Sequence, residues 1–391
     1  MNSTPPRHAH PVRRRLVLQV GGYEPLPPAA HHRRLRRTLE RSAAAWGLRL
    51  DTQPATLSGD GAVQRFGAGL AGPDWQTEAE VVLLGWDDLI ARDLAVPLPL
   101  RILRGGAALA RLLADGTVGR YRRAHWRYLL FVALPLLLLG GALLAGLLAG
   151  LALGGAAGLL LGMAIALALI RLGDRHAHLG HLFADWAFAR ALARDARPDV
   201  AARVARFAEE IASARGRRDV QEVVLIGHSL GMVLLVEALA QALARPVPLG
   251  GPRLVLVGLG SSVLKIGLMP EATRLRAAVA RVAAEPGLEW LEVTSRRDLL
   301  SFHRADPLRC LGLPGRGPRM ARVHPRAMLD AAGWRRVRLS MLRAHRIYVT
   351  GHDRPYHYDW GLLVCGPGPA GRMAEGDPLL GPGGALLKVA A

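Results

Sequence analysis

The pentapeptide Gly227-His228-Ser229-Leu230-Gly231 holds a serine between two glycines, with EVVLI before it and MVLLVEALA after it. A serine hydroxyl works as a nucleophile when a sharp strand-to-helix turn lifts it clear of a sheet, and flanking glycines let strand and helix approach closely. The first amides of the following helix then face negative charge that develops beside the serine. Such a turn serves acyl transfer. It needs two further groups, a histidine to take the hydroxyl proton and an acid to orient the imidazole. The elements that must position the serine are legible on both sides of it. Residues 220–226 (VQEVVLI) read as a buried central strand, and 232–244 as the helix leaving it.

A GHSLG turn after a hydrophobic strand resembles the nucleophile elbow of the α/β-hydrolase superfamily, which includes lipases, esterases and thioesterases. The resemblance covers most of the chain outside one long apolar segment. It implies an α/β fold with a mostly parallel sheet flanked by helices, a triad in the chain order serine, acid, histidine, and neither metal nor organic cofactor. On that pattern Ser229 is the nucleophile. Asp298, in the loop after the strand ending near Thr294, is the acid, and His345, after residues 336–342, is the base. Asp306, followed by Pro307, is the alternative acid; His352 and His357 in HDRPYHYDW are alternative bases, with His303 a weaker one. The oxyanion hole is expected from the N–H of Leu230 and a second N–H, of Gly22 or Tyr23, in the turn Gly21-Gly22-Tyr23-Glu24-Pro25. That turn departs from the His-Gly pair many members of the superfamily carry. The implied activity is hydrolysis of carboxylic esters or lipid acyl groups. Thioesterase, amidase or peptidase chemistry on the same triad is the alternative, as is a membrane scaffold that keeps the fold without catalysis.

The other soluble elements alternate as a parallel α/β protein requires. Residues 15–20 (RLVLQV) read as a first strand, 28–46 as an amphipathic Arg-rich helix, 48–51 as a short strand and 80–85 (EVVLLG) as a third, followed by helical residues. Residues 176–215 read as one or two helices broken near Pro198. Then come a strand at 253–258, a helix at 271–284 and strands at 288–294 and 336–342.

Between the third strand and the elbow, residues 128–170 run for about 43 positions without a charged side chain. As one helix this would reach ~65 Å, twice a hydrocarbon core, so two spans in a hairpin are expected. The turn is placed at 149–155, with Gly140-Gly141 as another breaking point and Pro135 as a kink. Gly146, Gly150, Gly154, Gly158 and Gly162 recur every fourth residue, a spacing that brings helix backbones together in lipid, either within the hairpin or in a homodimer. Arg120, Arg122, Arg123 and Arg127 precede the segment and Arg171 and Arg175 follow it, which puts both flanks, and with them both termini, on the cytoplasmic side. Just beyond, Asp174, His178, His181 and Asp185 fall on one face of a continuous helix, readable as metal ligands or as a solvated face. The expected organisation is a disordered tail at 1–12, a first part of the α/β domain at 13–124, the hairpin insertion at 125–175, the second part at 176–366 and an irregular tail at 367–391.

Half of the residues are apolar, enough for a large core. The net charge of +20 is carried almost wholly by arginine, since Lys265 and Lys388 are the only lysines. The charge is scattered, and no basic helix, zinc-ligand spacing or aromatic RNA-reading motif goes with it, which argues against nucleic acid. The partners expected are a lipid bilayer and an acyl-ester or lipid-like substrate. Cys310 and Cys365 are too few for a disulfide framework and suit a reducing compartment, and the polar N-terminus has no apolar stretch of the kind a signal peptide needs.

Overall fold

The computed structural model describes residues 11–246, 250–376 and 379–387. Most of the tail expected to be disordered, and part of the irregular C-terminal tail, lie outside the described residues. Among the described residues nine strands form one sheet: β1 (Arg14–Val20), β2 (Arg49–Thr52), β3 (Thr56–Leu57), β4 (Val63–Ala71), β5 (Gln76–Leu84), β6 (Glu222–His228), β7 (Arg253–Leu259), β8 (Glu289–Thr294) and β9 (Arg319–Arg322). The order is β2-β4-β5-β1-β6-β7-β8-β9, with β3 also on β4. From β5 to β9 every neighbouring pair is parallel, and β4 is antiparallel to β5, β2 and β3. The chain is therefore an α/β protein with a mostly parallel mixed sheet.

Strands buried on both faces read as continuous apolar runs, because both sets of alternating side chains need cover. In β6 every residue is buried: Val223 and Leu225 enter one core, Val224 and Ile226 the other. The first core is closed by the helices Leu179–Ala193, Pro198–Arg215, Gly231–Leu243 and Thr273–Ala283. The second lies under the helix Pro28–Trp46, whose Leu35, Leu39, Ala43 and Trp46 share one stripe, and under Trp360–Cys365. Polar contact also crosses this packing. Arg15, with no exposed side-chain surface, pairs with Glu222 at 2.8 Å and donates to the carbonyls of Leu363 and Gly368 at 2.9 and 2.7 Å.

Two expectations fail. Residues 336–342 are not a strand but parts of the helices Ala331–Arg338 and Met341–His345, started by Asp330 and Ser340, whose side chains accept from the N–H groups of Gly333 and Arg343. Two N-caps decide against an alternation that suits either structure. Strands β3 and β4 are additional; β4 (VQRFGAGLA) carries glycines that mask a strand, and pairing with β5 over nine residues supplies what local propensity lacks. Residues 176–215 are split twice, at His178, in left-handed backbone with φ 56°, and before Pro198.

Tyr128–Leu153 and Gly155–Ala177, which contain 18-residue stretches of mean hydropathy 2.4 and 2.1, are long and apolar enough to cross a membrane. Their turn is at Gly154 (φ 72°), inside the expected window; Pro135 sits within the first helix, and Gly140 and Gly141 do not end it. The glycine repeat is used inside the hairpin. A Cβ on Gly150 would lie 2.9 Å from the Gly158 carbonyl oxygen, and one on Gly162 would lie 3.2 Å from the Gly150 Cα. The foot of the hairpin belongs to the soluble core: Tyr128, Phe131 and Val132 are buried, and Tyr128 stacks on Phe302 with ring centroids 4.0 Å apart.

Candidate active site

Ser229 stands between the end of β6 and the helix Gly231–Leu243 with φ 54°, left-handed backbone that a non-glycine residue adopts only when its surroundings impose it. The N–H of Ser229 donates to Leu259 at 3.0 Å, and its carbonyl accepts from Ser262 and Met232 at 3.1 and 3.2 Å. Gly231 lets the turn close, since a Cβ there would run into the carbonyl oxygens of Val20 and Gly21 at the end of β1. The Ser229 hydroxyl rests 3.3 Å from that of Ser262.

Asp298 and His345 come together although 47 positions separate them. Nδ1 of His345 is 2.9 and 3.0 Å from the two carboxylate oxygens of Asp298. Tyr348 Oη and the Leu300 N–H donate to the same carboxylate at 3.0 and 2.9 Å. Burial alone would raise the pKa of Asp298, but the charge and hydrogen bond of His345, with Ser301 and Leu300, hold it below the ordinary carboxylate value. His345 Nε2, buried, has no hydrogen-bond partner among the described residues. His345 and Ser229 both line one cavity of about 450 Å³, also lined by Gly22, Tyr23, Ser262 and Lys265.

Of the expected oxyanion donors, Gly22 and Tyr23 line this cavity, and Leu230, buried, follows the serine in the chain. A Cβ on Gly22 would lie 3.1 Å from the Ser229 Cβ, so a side chain there would press on the serine. Among the described residues the N–H groups of Gly22, Tyr23 and Leu230 donate to no protein acceptor. The Tyr23 side chain turns away and donates to Asp93 at 3.2 Å.

The alternatives to Asp298 and His345 are placed elsewhere. Asp306 caps the short helix Pro307–Leu311, accepting from Leu308 and Arg309 N–H at 2.8 and 3.2 Å. His352 is buried on the far core, 3.7 Å from Asp359, and His357 stacks on Tyr356. His303 lies 3.2 Å from the Thr294 hydroxyl, and none of the three histidines lines the cavity.

Asp174, His178, His181 and Asp185 do line the cavity, but from two helices that meet at His178, not from one face of a continuous helix. Their carboxylates are engaged: Asp174 accepts from the Gly180 N–H at 2.8 Å, and Asp185 pairs with the buried Lys265 ammonium, which also sits 4.5 Å from the Trp186 ring centroid. Burial lowers the Lys265 pKa against the pull of Asp185. Among the described residues no group of His, Cys, Asp or Glu is arranged to hold a metal ion.

Three further residues of the site lie outside the pentapeptide, and a fourth, His228, lies within it but was given no role from the sequence. Ser262 and Gly260 belong to Gly260-Ser261-Ser262, which follows β7, the strand beside the elbow strand; a Gly-Ser-Ser run at a strand end was the available clue. Gly260 has φ 54°, and a Cβ on it would lie 2.7 Å from the Tyr348 ring and 3.0 Å from Asp298. His228, fully buried, donates from Nε2 to the His345 carbonyl at 3.1 Å. Burial first, then the nearby His345, drops its pKa to about 3 and keeps the ring neutral. Tyr348 completes the shell of the acid, and its own carbonyl accepts from Tyr358 Oη at 2.6 Å.

Comparisons of the chain with protein-family models, with curated proteins and with solved structures find no match.

Proposed function

We propose that this chain is a membrane-anchored serine hydrolase of the α/β-hydrolase type that cleaves carboxylic esters of lipid-like substrates. The observation that carries the reading is the buried His345–Asp298 pair, which borders the same cavity as a serine held in left-handed backbone at a strand-to-helix turn. In the proposed reaction His345 Nε2 takes the Ser229 proton while Oγ attacks the ester carbonyl carbon. The N–H groups of Leu230 and of Gly22 or Tyr23 receive the oxyanion, and Asp298 steadies the imidazolium. The leaving alcohol then takes the proton from His345, and water repeats the sequence on the acyl-enzyme. To react, the Ser229 hydroxyl turns from Ser262 toward His345, a tightening common when substrate arrives.

The hairpin, inserted between β5 and β6, supports a site at the membrane surface, and the arginines at its foot support a cytoplasmic soluble part. A thioester or amide fits the same groups. The 3.3 Å contact of Ser229 with Ser262, in place of one with His345, favours a second reading, a scaffold without catalysis.

A fluorophosphonate probe separates the two. Labelling of the wild type and none of Ser229→Ala is the expected result; a wild type that resists the probe while correctly folded removes the enzyme reading. Rates on matched esters, thioesters and amides then rank the substrate classes.

A further inference from the structure

The cavity beside Ser229 reaches the foot of the hairpin. Phe131, in the first turn of the helix Tyr128–Leu153, lines it, and so do Asp174 and His178 where the second apolar helix ends. A wall made by the near ends of both helices sits at the level where lipid headgroups lie, provided that the helices span. The remaining wall is apolar at Leu94, Leu182, Leu300 and Leu342 and charged in one sector.

Each of these charges has a partner, and the pair of Arg101 is the loosest. Glu24 is held by Arg34 at 2.7 Å and by Arg346 at 2.8 Å, and Asp185 by Lys265. Arg101 is different. Its side chain is 15% exposed, its Nε is buried with no acceptor among the described residues, and its nearest carboxylate oxygen, Oδ2 of Asp174, stands 3.8 Å away, while Oδ1 of the same carboxylate accepts from the Gly180 N–H. A buried guanidinium nitrogen without an acceptor is costly, and a planar fork of donors matches the oxygens of a phosphate.

We propose that the cavity receives a membrane amphiphile with an anionic phosphate headgroup, the phosphate on Arg101 and the acyl ester carbonyl at Ser229. The assignment of the carbonyl rests on the hydrolase reading; the headgroup site does not need turnover to be tested. The substrate enters sideways from the leaflet, past Phe131, so its chain need not leave the bilayer before the ester meets the serine. Asp174 limits the affinity, because its charge opposes the phosphate across the same guanidinium.

The test uses the full chain in neutral detergent and an ether analogue of lysophosphatidylglycerol, which has no ester to cleave, with binding followed by calorimetry. Arg101→Gln is expected to weaken binding by about tenfold, and Asp174→Asn to tighten it. A neutral glycerol ether of the same chain length should bind more weakly to the wild type and equally to both variants, which also reports that Arg101→Gln is folded. Equal affinity of wild type and Arg101→Gln for the phosphate-bearing lipid, or no gain in Asp174→Asn, overturns the proposal. Displacement of the analogue by inorganic phosphate as readily as by lipid would make this a site for free phosphate and also overturn it. Arg101-dependent binding in a protein that resists the fluorophosphonate would keep the headgroup site and remove the hydrolase.

Discussion

Asp298 is a carboxylate with no exposed surface, and a charge so placed persists only when its oxygens are met by donors. His345, Tyr348 and Leu300 meet them, and so the charged form is held. A second buried carboxyl nearby, Glu292 on β8, has the opposite balance. Burial, with Asp306 adding to it and Trp290 opposing, raises its pKa from 4.5 to about 8. The folded chain therefore keeps a proton on Glu292 that the unfolded chain releases, and stability declines as pH rises from 4.5 toward about 8. Glu292→Gln keeps an acceptor for the Trp290 indole N–H, 3.2 Å away in the wild type, and has no proton to lose. Thermal melts at about pH 5 and about pH 8.5 should show the wild type losing ground to Glu292→Gln at the higher pH. Parallel curves for the two proteins would mean that Glu292 ionises in the fold as freely as in water.

At the scale of elements, the site depends on β1 and β6 lying side by side, since the first carries the Gly22 turn at its end and the second carries Ser229. The Arg15–Glu222 pair joins these strands, and Glu222 also accepts from the Ala370 N–H at 3.2 Å, tying both to the C-terminal segment. Removing one partner strands the other charge in the core. Arg15→Met is expected to cost about 3–5 kcal/mol in denaturant titrations of the detergent-solubilised chain, as breaking a buried pair does. A loss below about 1 kcal/mol would show that water reaches Glu222 once the guanidinium is gone. In sequence Arg15 is one of many scattered arginines, and nothing local marks it as buried. Elements with a single strong pattern were legible: the helix Pro28–Trp46 from its apolar stripe, and β6 with its helix from two apolar runs around a glycine-flanked turn. The region 336–342 was not, because RVRLSML suits either period and, of the two caps that decide it, Asp330 lies outside the window and Ser340 sits within an apparent alternation.

At the scale of the whole molecule, the hairpin continues from the soluble core, its foot packed on Phe302 and Trp186 and its glycines closing one helix on the other. Leucines such as Leu137 and Leu151 point outward, 70% and 69% exposed, a surface that suits lipid and not water. The expected topology places Gly154 on the side of the membrane opposite to both flanks. In cells, a C-terminal reporter should be active in the cytoplasm, and the thiol of Gly154→Cys should react with an impermeant maleimide added from outside. A tip protected from the reagent together with a reporter on its own side would mean that the hairpin lies in the interface without crossing.

The sequence by itself determined the serine turn, the alternation of the main strands and helices, and the apolar hairpin with its turn near Gly154, because each depends on neighbours within about one or two helical turns. It also placed Asp298 and His345, by resemblance, ahead of Asp306, His352 and His357. Only the tertiary structure decided that this acid and this histidine meet, because their pairing closes a loop of 47 residues and no local pattern records a contact at that distance. The same holds for Ser262 beside the serine, for Gly260 making room for the acid, and for Arg101 at the foot of the hairpin. Each acquires its place from strand order and burial, which bring distant parts of the chain to the end of β6. The serine turn could be read from its own residues, but the cavity around it is made by the rest of the molecule.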